Sequence, residues 1–251
     1  MELALPGVRL WYEDGGGSGA AVIFLHAATG SSRVWEHQVA AFTKAGYRFI
    51  AYDRRGYGRS AIDAAGPQPG TAADDLEGLV KGLGIDRFHL VGTAAGGIVA
   101  TDYALSFPQR LSSLVIANSI VGVQDDDYLE LGRSLRPAPQ FEALPAEFRE
   151  LGPSYRAANR EGVRRWMALA GPRADQAMRN RITFAALETI KVPVLLLTGD
   201  ADLYTPPPVL KLFRDRIKNS KSMVIPECGH SAYWEQPDLF NRAVLDFIGK
   251  H

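Results

Sequence analysis

Two uninterrupted apolar runs constrain this chain more than any other feature. Ala21 to His26 reads AVIFLH, and Val192 to Gly199 reads VPVLLLTG. Neither alternates, so neither can rest one face on a core and turn the other to water. Such runs suit parallel strands buried on both faces. Between and around them lie segments with helical spacing. In Arg33 to Lys44, Trp35, Val39 and Phe42 share one side. Thr71 stands as an N-cap with Asp74 three residues on, and Leu76, Leu79, Val80 and Leu83 supply the apolar face behind it. Further strands are expected at Val8 to Tyr12, with a turn over Glu13 to Gly17, and at Tyr47 to Asp53, Phe88 to Gly92, Leu111 to Asn118 and Ser222 to Ile225. Helices are expected at Ala95 to Phe107, at Pro208 to Ile217 and at Asp238 to Ile248, with Pro237 at the start of the last. Strands alternating with helices give an α/β fold, a mostly parallel sheet flanked by helices on both faces. Its 251 residues suit one large domain.

One stretch breaks the alternation. Residues 120–189 hold no convincing strand, but have Pro137, Pro139, Pro145, Pro153 and Pro172 between helix-like pieces. The division expected is a core of residues 1–119 and 190–251, with residues 120–189 inserted as a small helical cap over the carboxyl ends of the strands. Ligands of open α/β sheets bind there.

The segment Gly92-Thr93-Ala94-Ala95-Gly96-Gly97 joins an expected strand to an expected helix. A nucleophile elbow, Gly-x-Ser-x-Gly, stands at such a junction. Its small residues allow a sharp turn and close approach of helix to strand, and the backbone N–H after the apex, here that of Ala95, faces a developing oxyanion. Every position fits except the apex, where Ala94 replaces serine. Downstream, Asp202 follows the run ending at Gly199, and His230 stands in the loop before the last helix. A carboxylate there can orient an imidazole that acts as general base. Asp200 lies nearer the turn and suits local backbone bonds. In His26-Ala27-Ala28-Thr29-Gly30 the N–H of Ala28 is the second oxyanion donor expected, and His26 a brace.

These motifs, with Asp53-Arg54-Arg55-Gly56-Tyr57-Gly58-Arg59-Ser60 and the tail Gly229 to Pro237, resemble those of the α/β-hydrolase fold superfamily over essentially the whole chain. The resemblance implies a Ser–His–Asp acyl-transfer site for a small-molecule carboxylic ester or lactone, needing no cofactor. Its members also include carbon–carbon bond hydrolases, dehalogenases and lyases. Three readings of Ala94 stay open: a Ser→Ala replacement in an otherwise intact site, a His230–Asp202 dyad that moves protons, and a ligand-binding protein without turnover. Survival of the remaining machinery favours the first. Substrate-pocket candidates are Ile120, Val121, Tyr155, Trp166, Met167, Tyr204 and Tyr233, with Arg54 or Arg156 as receivers of a substrate carboxylate, although bracing roles suit both arginines better.

Composition excludes other classes. Lys plus Arg and Asp plus Glu both number 28, so no basic excess speaks for nucleic acid or an anionic membrane. Arg160, Arg164, Arg165, Arg173, Arg179 and Arg181 alternate with apolar residues and read as solvated helix faces. The histidines show no metal-ligand spacing with carboxylates. A single cysteine, Cys228, permits no intrachain disulfide. With neither a secretory signal at residues 1–12 nor a long apolar span, a cytoplasmic location is expected.

Overall fold

The computed structural model describes residues 1–63, 70–135, 139–171 and 174–251. Pro137, Pro172 and Arg173 lie outside the described residues. The strands are β1 (Glu2–Leu5), β2 (Val8–Gly16), β3 (Ala21–Leu25), β4 (Arg48–Tyr52), β5 (Ala61–Ile62), β6 (Phe88–Thr93), β7 (Leu111–Ala117), β8 (Val194–Gly199) and β9 (Ser220–Ile225). They form one sheet in the order β1-β2-β4-β3-β6-β7-β8-β9, with β5 on β2. From β4 to β9 every pairing is parallel, whereas β1, β4 and β5 meet β2 antiparallel. The chain therefore has the mostly parallel α/β sheet expected from its apolar runs.

The pleat explains why β3 and β8 are apolar throughout. Ile23, Leu25, Val194 and Leu196 face one core layer, beneath helices α2 (Ala72–Gly82), α3 (Ala95–Ser106) and α9 (Pro207–Arg216). Val22, Phe24, Leu195 and Leu197 face the other, beneath α1 (Glu36–Lys44) and α10 (Pro237–Ile248). Phe24 packs against Trp35, Phe42 and Phe49, with ring centroids at 5.0, 5.0 and 4.7 Å. Helix α2 opens with a reciprocal capping box. Asp74 N–H donates to Thr71 Oγ1 at 3.3 Å, and Thr71 N–H to Asp74 Oδ2 at 2.8 Å.

One local expectation needs correction, and two strands are added. Glu13 to Gly16 is strand rather than turn. The pairing of β2 with β4 runs on to Gly16 opposite Phe49, past a register shift after Asp14, and Arg48 on β4 holds the Asp14 carboxylate across the two strands at 2.7 Å. Strands β1 and β5 are additions at the antiparallel edge, where short half-exposed segments carry little apolar signal.

Between β7 and β8 lie α4 (Asp126–Leu135), α5 (Ala146–Glu150), α6 (Pro153–Ala158), α7 (Arg160–Ala168) and α8 (Phe184–Leu187), with no strand among the described residues. This segment is stitched to the body. Leu151 and Trp166 join the core layer of Trp35 and Phe240, and Trp234 Nε1–H donates to the Gly162 carbonyl at 3.2 Å. Strand register places the carboxyl ends of β3, β6, β7, β8 and β9 along one edge: Leu25 lies opposite Gly92, Thr93 opposite Ala117, and Gly199 opposite Ile225. The loops from that edge build the site. Among the described residues no helix is long and apolar enough to cross a membrane.

Candidate active site

The site begins with the turn from β6 into α3. A Cβ on Gly92 would stand 2.4 Å from the Gly96 carbonyl oxygen, and one on Gly96 would stand 2.2 Å from that of Leu25. Only glycine permits this approach of helix to sheet. Ala94 at the apex has φ 50° and ψ −118°, a conformation that a residue with a Cβ rarely adopts. Local bonds hold it there: its N–H donates to Ala117 O at 3.0 Å, and Ser119 Oγ and Gly97 N–H donate to its carbonyl at 2.6 and 3.0 Å. Ala95 opens α3, so its N–H has no carbonyl one turn back to bond.

His230 is buried and faces the same pocket. Its Nδ1–H donates to Asp202, with both carboxylate oxygens at 2.9 Å. A carboxylate only accepts, so this bond fixes the tautomer and leaves Nε2 of the neutral ring as the base. Asp202 is itself fully built in. It accepts from the N–H groups of Tyr204 and Thr205 at 2.8 and 2.9 Å, from Thr198 Oγ1 at 3.0 Å and from Asn118 Nδ2 at 3.1 Å. Burial alone would push its carboxyl up, but the His230 charge and these donors hold it below the usual carboxylate range. For His230, burial pulls the pKa down, yet Asp202, with Glu150 and Glu235 behind it, carries it above the ordinary histidine value. Asp200 takes the other place: it accepts from the N–H groups of Glu227 and Cys228, both at 3.1 Å.

The pocket, about 250 Å³, is lined by Ala28, Thr29, Ala94, Ala95, Asn118, Glu150 and His230, with Ile98, Ile120, Arg149 and Tyr204 at its sides. Ala94, Ala95, Ala28 and His230 thus converge from loops of different strands, and Asp202 stands behind the histidine. His26 faces away. Its Nδ1–H donates to Ala27 O at 2.7 Å and its Nε2 accepts from the Arg54 N–H at 3.0 Å, while burial beside Arg54 lowers its pKa to about 3. It stays neutral and braces the Ala28 loop.

Of the expected pocket residues, only Ile120 and Tyr204 line this site, with the Tyr204 ring 4.6 Å from that of His230. The other five are corrected. Val121, Trp166 and Tyr233 are core side chains; Tyr233 packs on Trp35 at 4.9 Å. Tyr155 is half-buried against the core and accepts from Asn159 Nδ2, and Met167 is exposed on α7. Arg54 and Arg156 brace: the first donates to Gln176 Oε1 at 2.8 Å, the second to the Leu151 carbonyl at 3.1 Å.

Two further carboxylates join the site, Glu150 with no motif around it and Glu235 inside the Gly229 to Pro237 tail but with no role read for it there. Glu150, at the end of α5, sits in the pocket. Its carbonyl accepts from the His230 N–H at 2.7 Å, and its Oε2 from Thr29 Oγ1 at 3.1 Å. Glu235 is buried and accepts from the N–H groups of Gly152, Gly229 and Ser231 at 2.7 to 3.1 Å. Burial pushes its pKa up, an effect those three donors only partly offset. It fastens the histidine loop to the segment after α5.

Neither neighbouring group with a nucleophilic atom, Thr93 or Cys228, lines this pocket. Thr93 Oγ1 is buried away without a partner, and burial near Glu235 and Asp202 pushes the Cys228 thiol far up.

The sheet, the strained apex and the acid–histidine pair meet a family match over residues 22–243, to the alpha/beta hydrolase family. The chain belongs to that family. A 2-hydroxy-6-oxononadienedioate/2-hydroxy-6-oxononatrienedioate hydrolase of Paraburkholderia phymatum is 28% identical, over 97% of this chain and 92% of its own. A thermophilic esterase from Thermogutta terrifontis superposes with a TM-score of 0.82 at 27% identity, covering 99% of this chain and 96% of the esterase. A bromoperoxidase from Bacillus anthracis superposes at 0.73 and 26% identity, with 96% of each chain covered.

Proposed function

We propose that the alpha/beta hydrolase pocket is a site for a small carboxylic ester or lactone, laid out for acyl transfer through position 94 and lacking that step because residue 94 is alanine. The observation that supports it is the strained apex at Ala94. The backbone holds a costly conformation at the one residue that a nucleophile would occupy, in the pocket that His230, Ala28 and Ala95 also line.

The residues present allow a route without a covalent intermediate. His230 takes a proton from water, and the hydroxide adds to the substrate carbonyl. The oxyanion is held by the N–H groups of Ala28 and Ala95. As the tetrahedral adduct collapses, the imidazolium returns its proton to the leaving oxygen, with Asp202 stabilising the charged ring throughout. This route lacks the nucleophile, whose removal from such a triad costs about 10⁶ in kcat and leaves about 10³–10⁴ over water.

The test is Ala94→Ser against aryl esters and lactones, beside the Ala94 protein and a His230→Ala control. The serine variant is expected to gain at least ~10³ in rate and a covalent acyl adduct visible by mass spectrometry. If it forms no adduct and gains nothing, the ester reading is wrong.

A second reading is hydrolysis of a carbon–carbon bond beside a ketone, in keeping with a relative named as a 2-hydroxy-6-oxononadienedioate/2-hydroxy-6-oxononatrienedioate hydrolase. Arg149 is the cation a substrate carboxylate would meet at the pocket: its Nη1 is held by Glu142 at 3.1 Å, so the acid would bind there in exchange for that carboxylate. Loss of dienolate absorbance would report that reaction.

A further inference from the structure

A second cavity, about 360 Å³, adjoins the catalytic pocket. Ile120 and Tyr204 belong to both and form the wall between them. Its own lining is apolar and converges from three parts of the chain: Tyr128 and Leu129 from α4, Leu203 and Pro206 from the loop that carries Asp202, and Val209 from α9. Three of its apolar side chains are unusually exposed, Ile120 at 38%, Leu129 at 41% and Leu203 at 44%. Large apolar groups left open to water in one concave place mark a binding surface. Arg133 is the one charged side chain among the described residues of the lining, and it is paired with Glu130 at 2.7 Å.

Gly132 adds an independent sign. It lies inside α4, where glycine weakens a helix relative to alanine. Its φ is not positive, and a Cβ built on it would meet nothing within 4 Å. Neither backbone conformation nor packing requires glycine here. What its missing side chain does is widen the cavity.

We propose that this cavity holds an apolar arm of the substrate, an alkyl or aryl chain several carbons long, whose carbonyl sits in the catalytic pocket. Tyr204 makes the connection. Its backbone N–H is anchored on Asp202, and its ring lies against His230, so an arm packed along the Tyr204 side of the cavity leads straight to the base. The inference rests on the reading of the smaller pocket as a carbonyl site, and it names the substrate class: amphipathic, with a compact polar head and an uncharged tail.

The test uses binding, so it does not depend on turnover. Straight-chain 2-alkanones from 2-butanone to 2-decanone are titrated calorimetrically into the Ala94 protein. Affinity is expected to rise about threefold to fourfold per methylene until the cavity is filled. Gly132→Phe fills the cavity and should flatten the series for the longer ketones while leaving the short ones within twofold. Leu131→Ala, on the same helix but outside the lining, serves as the folding control and should bind the whole ketone series as the parent does. If Gly132→Phe does not fold, Val209→Trp blocks the same space. Affinity independent of chain length, or a length dependence that survives both blocking variants, overturns the proposal. Length-dependent binding with no turnover by Ala94→Ser removes the ester reading and leaves the subsite standing. Turnover by Ala94→Ser that is equal for all acyl lengths, with unchanged ketone binding in Gly132→Phe, does the reverse.

Discussion

Asp202→Asn should produce a stability loss that depends on pH in a definite direction. The carboxylate accepts from two backbone amides, Thr198, Asn118 and His230, all in the protein interior. Breaking a buried pair by removing one partner typically costs about 3–5 kcal/mol. His230 has its folded pKa raised, so its share of the stability is complete below the unfolded value, about 6.5, and fades as pH rises through the folded one. Asp202 has its folded pKa lowered, so its share is complete above about 3.9 and fades as pH falls through the folded value. The ion pair therefore contributes in full between roughly pH 4 and 6.5. Urea unfolding at pH 5.5 should show the full deficit of the variant. By pH 9, with the imidazole neutral and the carboxylate still ionised, the deficit should shrink toward the loss of the charge-assisted hydrogen bonds that Asp202 accepts from the backbone, Thr198 and Asn118, about 1.5–3 kcal/mol. In parallel, the His230 ring resonances should titrate at lower pH in the variant, because burial then acts without a counter-charge. An equal deficit at both pH values, or an unmoved titration, refutes the reasoning.

Ala94→Gly should raise stability by about 1 kcal/mol in the same unfolding assay, since relief of about 1–3 kcal/mol of backbone strain outweighs the added freedom of the unfolded chain. Glu235→Ala leaves three backbone N–H groups buried without an acceptor and should cost about 3–6 kcal/mol, at about 1–3 each with some recovery by water; faster amide exchange at Gly152, Gly229 and Ser231 would locate the damage. Arg55→Leu strands the buried Asp75 carboxylate, which Arg55 holds through two bonds of 2.9 and 2.6 Å, and should cost about 3–5 kcal/mol. Adding Asp75→Asn should recover part of that loss, and a double-mutant cycle with no coupling would contradict the pairing.

The parts of the site that follow the chain are legible in the amino-acid sequence. The glycines around Ala94, Asp202 after an apolar strand and His230 before the last helix each carry a local signature, because each sits at a strand end where small or polar residues interrupt an apolar run. Glu150 carries none, and reaches Thr29 across 121 positions of sequence. Glu235 stands within the tail after His230, but that tail does not say what its carboxylate grips. Their roles come only from tertiary approach. The pocket lining is hard to read for a related reason. Trp166 and Tyr233 have the size and character of ligand-facing aromatics, but nothing in residue type says whether a ring turns toward the cavity or toward Trp35. Strands β1 and β5 are illegible because edge strands are short and only half covered, so the apolar contrast that reveals β3 and β8 is missing.

The bond from the His230 amide to the Glu150 carbonyl ties the histidine to the helical segment over the sheet. Glu235 doubles the tie by gripping Gly152 and Gly229 together. Lifting that segment, the roof of the pocket, would break both ties and let go of the histidine. The His230 amide then becomes a natural gauge: its hydrogen exchange should proceed only as fast as the roof detaches, and a ligand that bridges roof and floor should slow it.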